Sequence, residues 1–489
     1  MLCAFLLVLV IGGILSAAEG FYKDLFMDSG SWLTHRTRLY AAESLRLTME
    51  YNAKQDTAIL RHIMVANPDD ANGYLLYPDG APRFRCIFTN GGNAGRHGLA
   101  LGDTGRQRIR DFVANGGSYA GVCAGAYLAS VSNLDSGIEP NFYHIWPGRT
   151  RHAGLYNSWV GNFIPVSSPL LRYDSFGGDF YIDSLYLNGG PFGNDSIDWP
   201  AGTEVLLSYD TVRRICHNRP AGWAWKRSES AGRIVVLGTH PEGWYFGERL
   251  RLTKAMLAYA LDGVGLPGLK GLLANGIPRQ MNQPTGGDPA YIRIGDRQYH
   301  HFAFDLPPGT SELSLELDGD DSFDLCLYLD PAGFAFRSTA DYADTSAGAN
   351  KVIRIPWPVS GRWFGAVECV TTVETYGDSC FLYTGRTDVL NGVAYTITAR
   401  WNTGAIAASE SKGRATLIPA CFSGMLKVPA ANLSPEVSIF DASGRRVATI
   451  KPESADRHEY LVWTPDNQTP AGLYFIRAGN FAARTVYLK

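Results

Sequence analysis

The sequence predicts a multidomain protein: a layered α/β domain followed by two all-β sandwich domains. Three observations carry this. The chain has 489 residues, more than one hydrophobic core organises. Up to about Gly265, strand-like and helix-like apolar patterns alternate, as layered α/β domains require. Beyond that point the helical patterns stop, and apolar residues recur with a period of two between Gly and Asp turns. The net charge is -3, without the basic excess that a nucleic-acid partner demands.

Residues 1–18 read as a signal peptide. Leu2 to Val10 is an unbroken apolar run, and Ser16-Ala17-Ala18 ends it with the small-x-small pattern of a cleavage site. No Lys or Arg precedes the run, and an uncleaved N-terminal anchor is the alternative. The expected location is therefore secreted or cell-surface. Of the eight cysteines, Cys3 leaves with the signal. Those remaining are odd in number, so an exported protein keeps at least one free thiol. Cys369 and Cys380 are near enough in sequence to close a small loop, and the pairing stays open, including that of Cys86 with Cys216.

In the first domain (19–267), Leu39 to Tyr51 has helical spacing, and His62 to Ala66 and Arg83 to Thr89 are short apolar strands. Asp103-Thr104 opens a helix that presents Ile109, Phe112 and Val113 on one face, and Asn115-Gly116-Gly117 closes it. Ser118 to Val122 is a strand leading straight into Cys123. The stretch from about Asn133 to Asp198, rich in Gly, Pro, Trp and Tyr, reads as hairpins and loops set into this frame. Ile234 to Leu237 is a buried strand, and Leu252, Ala255, Met256, Tyr259 and Ala260 form a helical stripe ending at Gly263. A polar Gly/Pro-rich segment (268–288) reads as a linker. A β-sandwich (289–400) follows, with Leu313 to Leu317, Leu325 to Leu329 and Tyr395 to Ala399 as strands. A second linker (401–429) leads to a last β-module (430–489), with strands at Val437 to Phe440, Tyr460 to Trp463, Leu473 to Arg477 and Thr485 to Leu488.

Chemistry concentrates at Gly121-Val122-Cys123-Ala124-Gly125. A nucleophile on a sharp strand-to-helix turn needs small neighbours, which Gly121 and Gly125 supply. The turn projects the thiol at the C-terminal end of the sheet, where α/β folds bind ligands. The following helix aims its N-terminus at the sulfur and offers the Ala124 N–H to an oxyanion. Asn90-Gly91-Gly92-Asn93, after the preceding strand, supplies a second donor: glycines at 91 and 92 let the backbone approach closely. Thr239-His240-Pro241-Glu242-Gly243 follows the Ile234 strand, with His240 as base and Glu242 as its orienting carboxylate. Each element alone is commonplace, a turn, a packed Cys or a capping His; the three in this order at strand ends point to a Cys123–His240–Glu242 triad. Asn93 and Tyr127 are candidate pocket residues. His97, His144 and His152 read as structural. No Cys/His set has zinc spacing, so neither a metal nor a cofactor is expected.

The elbow followed much later by His-x-Glu resembles the class I glutamine amidotransferase superfamily. Gly116 to Ala129, Tyr186-Leu187-Asn188-Gly189-Gly190-Pro191 and Gly238 to Glu242 are more closely similar to the N-terminal domain family of biotin-protein ligases. The resemblance covers about residues 20 to 265. It implies a flavodoxin-like three-layer fold and thiol chemistry on an amide or related acyl group. Glutaminases of that superfamily carry Gln four residues after the nucleophile, where this chain has Tyr127, and no synthase partner is evident. The expected activity is therefore a secreted cysteine hydrolase acting on a small-molecule or peptide amide. A non-catalytic surface-binding protein that retains the fold is the alternative.

Gly309 to Leu317, Phe323 to Asp330 and Gly361-Arg362-Trp363-Phe364 resemble the bacterial pre-peptidase C-terminal domain. Its acidic turn, Asp318, Asp320, Asp321 and Asp324, reads as a solvated turn in preference to a calcium site, because no full ligand loop is present. Val437 to Asp441, Gly444 to Val447, Pro470 to Arg477 and Val486 to Lys489 resemble a type IX secretion sorting domain, which implies the type IX machinery as a partner; a plain Ig-like module is the alternative.

Overall fold

A computed structural model describes residues 20–28, 32–33, 38–52, 72–133, 137–196, 198–265, 267–376, 382–403, 421–429, 437–442, 445–451, 460–478 and 481–489. The expected signal peptide, the strand at His62 to Ala66, Cys380 and most of the second linker lie outside these residues. The protein is multidomain and mostly β. It forms two compact units, residues 1–404 and 405–489.

The first unit begins with strands β1 (Lys23–Asp28), β2 (Met49–Asn52), β3 (Phe84–Thr89), β4 (Ser118–Val122), β5 (Thr150–His152), β6 (Ser158–Phe163), β7 (Tyr181–Leu187), β8 (Pro191–Gly193), β9 (Glu204–Asp210), β10 (Pro220–Lys226) and β11 (Arg233–Leu237). The helices are α1 (Tyr40–Ser44), α2 (Ala94–Ala114), α3 (Ala124–Ala129) and α4 (Gly247–Leu261). A nine-stranded sheet runs β2-β1-β3-β4-β11-β10-β9-β6-β7. Its first five strands are parallel and the rest antiparallel, so a parallel, flavodoxin-like order covers only half of it. The aromatic insertion supplies the β6–β7 hairpin at the sheet edge and the separate β5–β8 pair.

Alternate strand residues face opposite ways. Leu25, Met27, Phe88, Val122 and Leu237 pack with Ala41 and Ala42 of α1 and Leu252 and Met256 of α4. Phe26, Phe84, Ile87, Tyr119 and Val236 pack with Leu101, Ile109 and Phe112 of α2 and with α3.

Three local expectations change. The helix expected over Leu39 to Tyr51 stops at Ser44. Arg46 takes φ 57°, and Met49–Asn52 pairs with β1 instead, anchored by Asp24 and Thr48, whose amides each bond the other's side chain at 2.9 Å. Tertiary pairing here outweighs helix propensity. Helix α2 starts at Ala94 and breaks at Gly102 (φ 64°, ψ 179°), so the expected start at Asp103 is its second half. The 268–288 segment is not a free linker: β12 (Leu269–Leu272) and β13 (Arg279–Met281) pair within the sandwich.

That sandwich continues with β14 (Tyr299–Leu306), β15 (Thr310–Gly319), β16 (Leu325–Asp330), β17 (Tyr342–Asp344), β18 (Lys351–Pro356), β19 (Gly361–Cys369), the β20 (Val373–Tyr376) and β21 (Leu382–Gly385) pair, and β22 (Tyr395–Thr403). Sheets β12-β14-β19-β16-β17 and β13-β22-β15-β18 share one core, with Leu313, Leu315 and Leu317 facing Leu325, Leu327, Leu329 and Trp363. Buried ion pairs join it to the α/β domain, Arg83 to Asp296 at 2.7 Å and Asp79 to Lys270; Asp79 also faces His300, whose burial lowers its pKa to about 4 and keeps the ring neutral at neutral pH. In the acidic turn, Asp321 accepts the Ala349 and Asn350 amides and Asp324 accepts that of Gly348. These carboxylates hold backbone in place.

The second unit has β23 (Cys421–Phe422), β24 (Leu426–Pro429), β25 (Val437–Asp441), β26 (Arg446–Ile450), β27 (Tyr460–Trp463), β28 (Gly472–Ala478) and β29 (Phe481–Tyr487). Its five-stranded sheet, β23-β29-β28-β25-β26, and the β24–β27 pair bury Leu426, Val437, Ile439, Trp463 and Ile476 together. No helix of the described residues is long and apolar enough to cross a membrane.

Candidate functional site

Strands β3, β4 and β11 are parallel neighbours, so the loops after them converge at one sheet edge. Cys123 follows β4, and its amide donates to Leu237 O at 2.8 Å. Its backbone sits at φ 48°, ψ -102°, a conformation that costs a non-glycine residue about 1–3 kcal/mol. The turn is closed by contacts only glycine allows. A β-carbon on Gly121 would lie 2.9 Å from the Gly125 carbonyl carbon, and one on Gly125 would lie 2.5 Å from Thr89 O. Tyr119 Oη donates to Gly125 O at 2.9 Å from the strand below. Ala124 and Gly125 are the first helical positions, where amides have no intrahelical acceptor. Helix α3 has only six residues, so a large dipole contribution at the sulfur, expected from the sequence, does not apply.

His240 follows β11 and is held at both ends. Its amide donates to Tyr186 O at 2.8 Å, and its Nδ1 lies 2.9 Å from Glu242 Oε1. The Glu242 carboxylate is buried, and its Oε2 has no partner among the described residues. Burial disfavours the imidazolium, but the charge and hydrogen bond of Glu242, together with the neighbouring Cys123, outweigh it, and the His240 pKa is raised to about 11. The Cys123 thiol faces Asn188 O, 3.9 Å from Sγ.

The glycine loop is wedged between two walls. A β-carbon on Gly91 would lie 2.1 Å from His240 Cε1. Gly92, at φ 148°, abuts Trp32 O and bridges to Leu33. Asn93 is not a free pocket residue: its Oδ1 caps α2 by accepting the Arg96 amide at 3.0 Å, and its own amide donates to Trp32 O. Tyr127 is buried and donates from Oη to Gly189 O at 3.0 Å. Burial first, then the Cys123 charge, raises its pKa.

His97, His144 and His152, read as structural from the sequence, make contacts of their own. His97 is buried against Asp28, whose carboxylate also accepts from Tyr143 and Thr89. His144 contacts Glu139 O at 2.7 Å, and His152 Nδ1 accepts the Gly154 amide. Cys86 and Cys216 are both buried free thiols, as is Cys369. Among the described residues no three His, Cys, Asp or Glu side chains gather as a metal would require.

Sequence reasoning passed over the wall beside His240. Tyr186 sits 5.9 Å from the imidazole between ring centroids, with Trp159 and Trp244 beyond it. The run Trp244-Tyr245-Phe246 directly after Glu242-Gly243 was the available signal.

A model of the family described as "Biotin-protein ligase, N terminal" matches residues 85–135, which carry the Gly91–Gly92 loop, Cys123 and α3. No curated protein matches the chain. A crystal structure of a glutamine amidotransferase is similar at 14% identity, covering 47% of this chain and 98% of its own, with a TM-score of 0.31. The pre-peptidase C-terminal domain of a Bacillus anthracis collagenase is similar at 7% identity, covering 28% of this chain and 100% of its own, with a TM-score of 0.17. Superpositions that distant carry no argument, and the family match is confined to residues 85–135 of the α/β domain.

Proposed function

We propose that the protein is an exported cysteine hydrolase that cleaves an amide, peptide or related acyl bond through Cys123, His240 and Glu242. The observation that carries the reading is the His240 ring, bonded through Nδ1 to the buried Glu242 carboxylate, with its charged form favoured by Glu242 and by the neighbouring Cys123, a residue held at a strained elbow. His240 holds its proton before the attack; Sγ attacks the carbonyl, and the imidazolium gives that proton to the departing amine. Water then attacks the thioester and regenerates the thiol. The Ala124 amide, with backbone of the Gly91–Gly92 loop, stabilises the oxyanion.

Tyr127, bonded to Gly189 where a glutaminase carries Gln, supports a substrate other than free glutamine. Export rests on the apolar run at Leu2 to Val10, and delivery through type IX machinery rests on the likeness of residues 430–489 to a sorting domain. The flavodoxin-like part of the fold is the parallel half of the sheet that bears the site.

The test is iodoacetamide labelling of Cys123, read by mass spectrometry, beside a screen of peptide and amide substrates. Fast labelling that slows in His240→Ala, with turnover abolished in Cys123→Ala, is the expected result. Labelling indifferent to His240, with no turnover, would leave a surface-binding protein.

A further inference from the structure

The aromatic wall beside His240 continues outward in a defined order. Trp159 on β6 is the cross-strand partner of Tyr186, with ring centroids 5.2 Å apart, and Trp244 lies 5.9 Å from Trp159. Arg249, in the first turn of α4, stands over both indoles. Its Cζ is 4.0 Å from the Trp244 ring centroid and 4.7 Å from that of Trp159. Its Nε donates to Ser184 O at 2.6 Å.

Contacts with two indoles, which meet edge to face at 71°, and one committed N–H hold the guanidinium in place, and Nε is the nitrogen committed to the backbone. No carboxylate of the described residues pairs with the two terminal nitrogens. An arginine that served only to cover the rings would hide them. Here Trp159 stays 53% exposed, and Phe246, in contact with Trp244, 56%. A contiguous exposed aromatic surface next to a reactive centre is what ligand sites display. A planar guanidinium held on aromatic faces is suited to bidentate carboxylate recognition.

We infer that the Trp159–Arg249–Trp244 cluster is a substrate subsite that binds a carboxylate. The amide cleaved at Cys123 then belongs to a peptide carrying a carboxylate and an apolar side chain, the latter lying on Trp159 and Phe246. Three side-chain contacts separate Arg249 from His240, which places the carboxylate a few residues from the scissile bond. Its source is a peptide C-terminus or an Asp or Glu side chain. This assignment rests on the hydrolase reading for its reaction, but its binding test does not need turnover.

The experiment uses the full chain with Cys123→Ala and a pool of N-acetylated tetrapeptides in two forms, free C-terminus and C-terminal amide, with retention read by mass spectrometry. Carboxylate-bearing peptides are expected to bind about tenfold more tightly or better. Enrichment of the free-acid form identifies the C-terminus. Enrichment of Asp and Glu over Asn and Gln in the amidated pool identifies a side chain. Either preference should collapse in Arg249→Met and be only partly restored in Arg249→Lys, which keeps charge but not the planar fork. Equal retention of charged and neutral peptides, or a preference that survives Arg249→Met, overturns the subsite. Failure of the wild-type chain to cleave a retained peptide would overturn the hydrolase reading and leave the subsite standing.

Discussion

Gly91 and His240 are in contact so close that a β-carbon at position 91 would lie 2.1 Å from Cε1 of the imidazole. The glycine loop after β3 therefore sets where the ring after β11 can stand. Gly91→Ala, which meets no positive φ at that position, should displace the ring and not strain the backbone. Misplacement of a catalytic group by about 1 Å costs about 10²-fold. The expected outcome is a loss of that order in Cys123-dependent turnover, with an unfolding midpoint close to wild type. Turnover kinetics beside urea denaturation check it.

The His240 pKa of about 11 against an ordinary 6.5 has a definite sign in stability. A base whose folded pKa is raised contributes stability fully below the unfolded value and loses it as pH rises toward the folded one. The stability advantage of wild type over His240→Gln should therefore be constant below pH 6.5 and shrink between 6.5 and about 11. Glu242→Gln removes the main opposing charge and leaves burial to dominate, so the His240 titration should move to lower pH. Nitrogen chemical shifts of labelled histidine report both effects. A His240 signal that titrates at the same pH in Glu242→Gln would contradict the coupling.

Tyr127 Oη supplies a hydrogen bond to Gly189 O from a buried position. Tyr127→Phe leaves that carbonyl unpaired and should cost about 1 kcal/mol in unfolding free energy. Free glutamine should yield no ammonia with either protein, because the position holds a ring braced against the β7–β8 turn. A coupled ammonia assay measures that directly.

Arg83 and Asp296 form a buried pair between the α/β domain and the sandwich. Burial nevertheless raises the Asp296 pKa even with Arg83 and Arg297 nearby, the sign expected where desolvation offsets the Coulombic gain. Removing one partner is another matter: Arg83→Met strands a buried carboxylate and should destabilise the first unit by about 3–5 kcal/mol. Urea denaturation at pH 7 should show that loss, and the double variant Arg83→Met with Asp296→Leu should recover part of it.

Local pattern was enough for several elements. The strand into Cys123, the Ile234 strand and the stripe on Leu252 and Met256 are continuous or periodic apolar runs, and they form β4, β11 and α4. The leucine alternation at 313–317 and 325–329 likewise forms sandwich strands with one buried face. Such patterns are legible because burial selects them residue by residue. The elbow was legible in part for a related reason: Gly121 answers a steric demand made within five residues, by Gly125, whereas Gly125 answers one made by Thr89 on the neighbouring strand.

What the tertiary structure decided lies between segments distant in sequence. Met49–Asn52 left its helical spacing because β1 offered an edge to pair with, and β12 and β13 left an apparent linker because the sandwich sheets did the same. Asn93 became a helix cap because α2 begins nine residues before the visible helical pattern at Asp103. Most of all, the packing of Arg249 against Trp159 and Trp244 joins residues from a hairpin, a loop and a helix. No periodicity marks such a contact, since each side chain alone reads as ordinary surface, and only the folded sheet edge brings their complementary faces together.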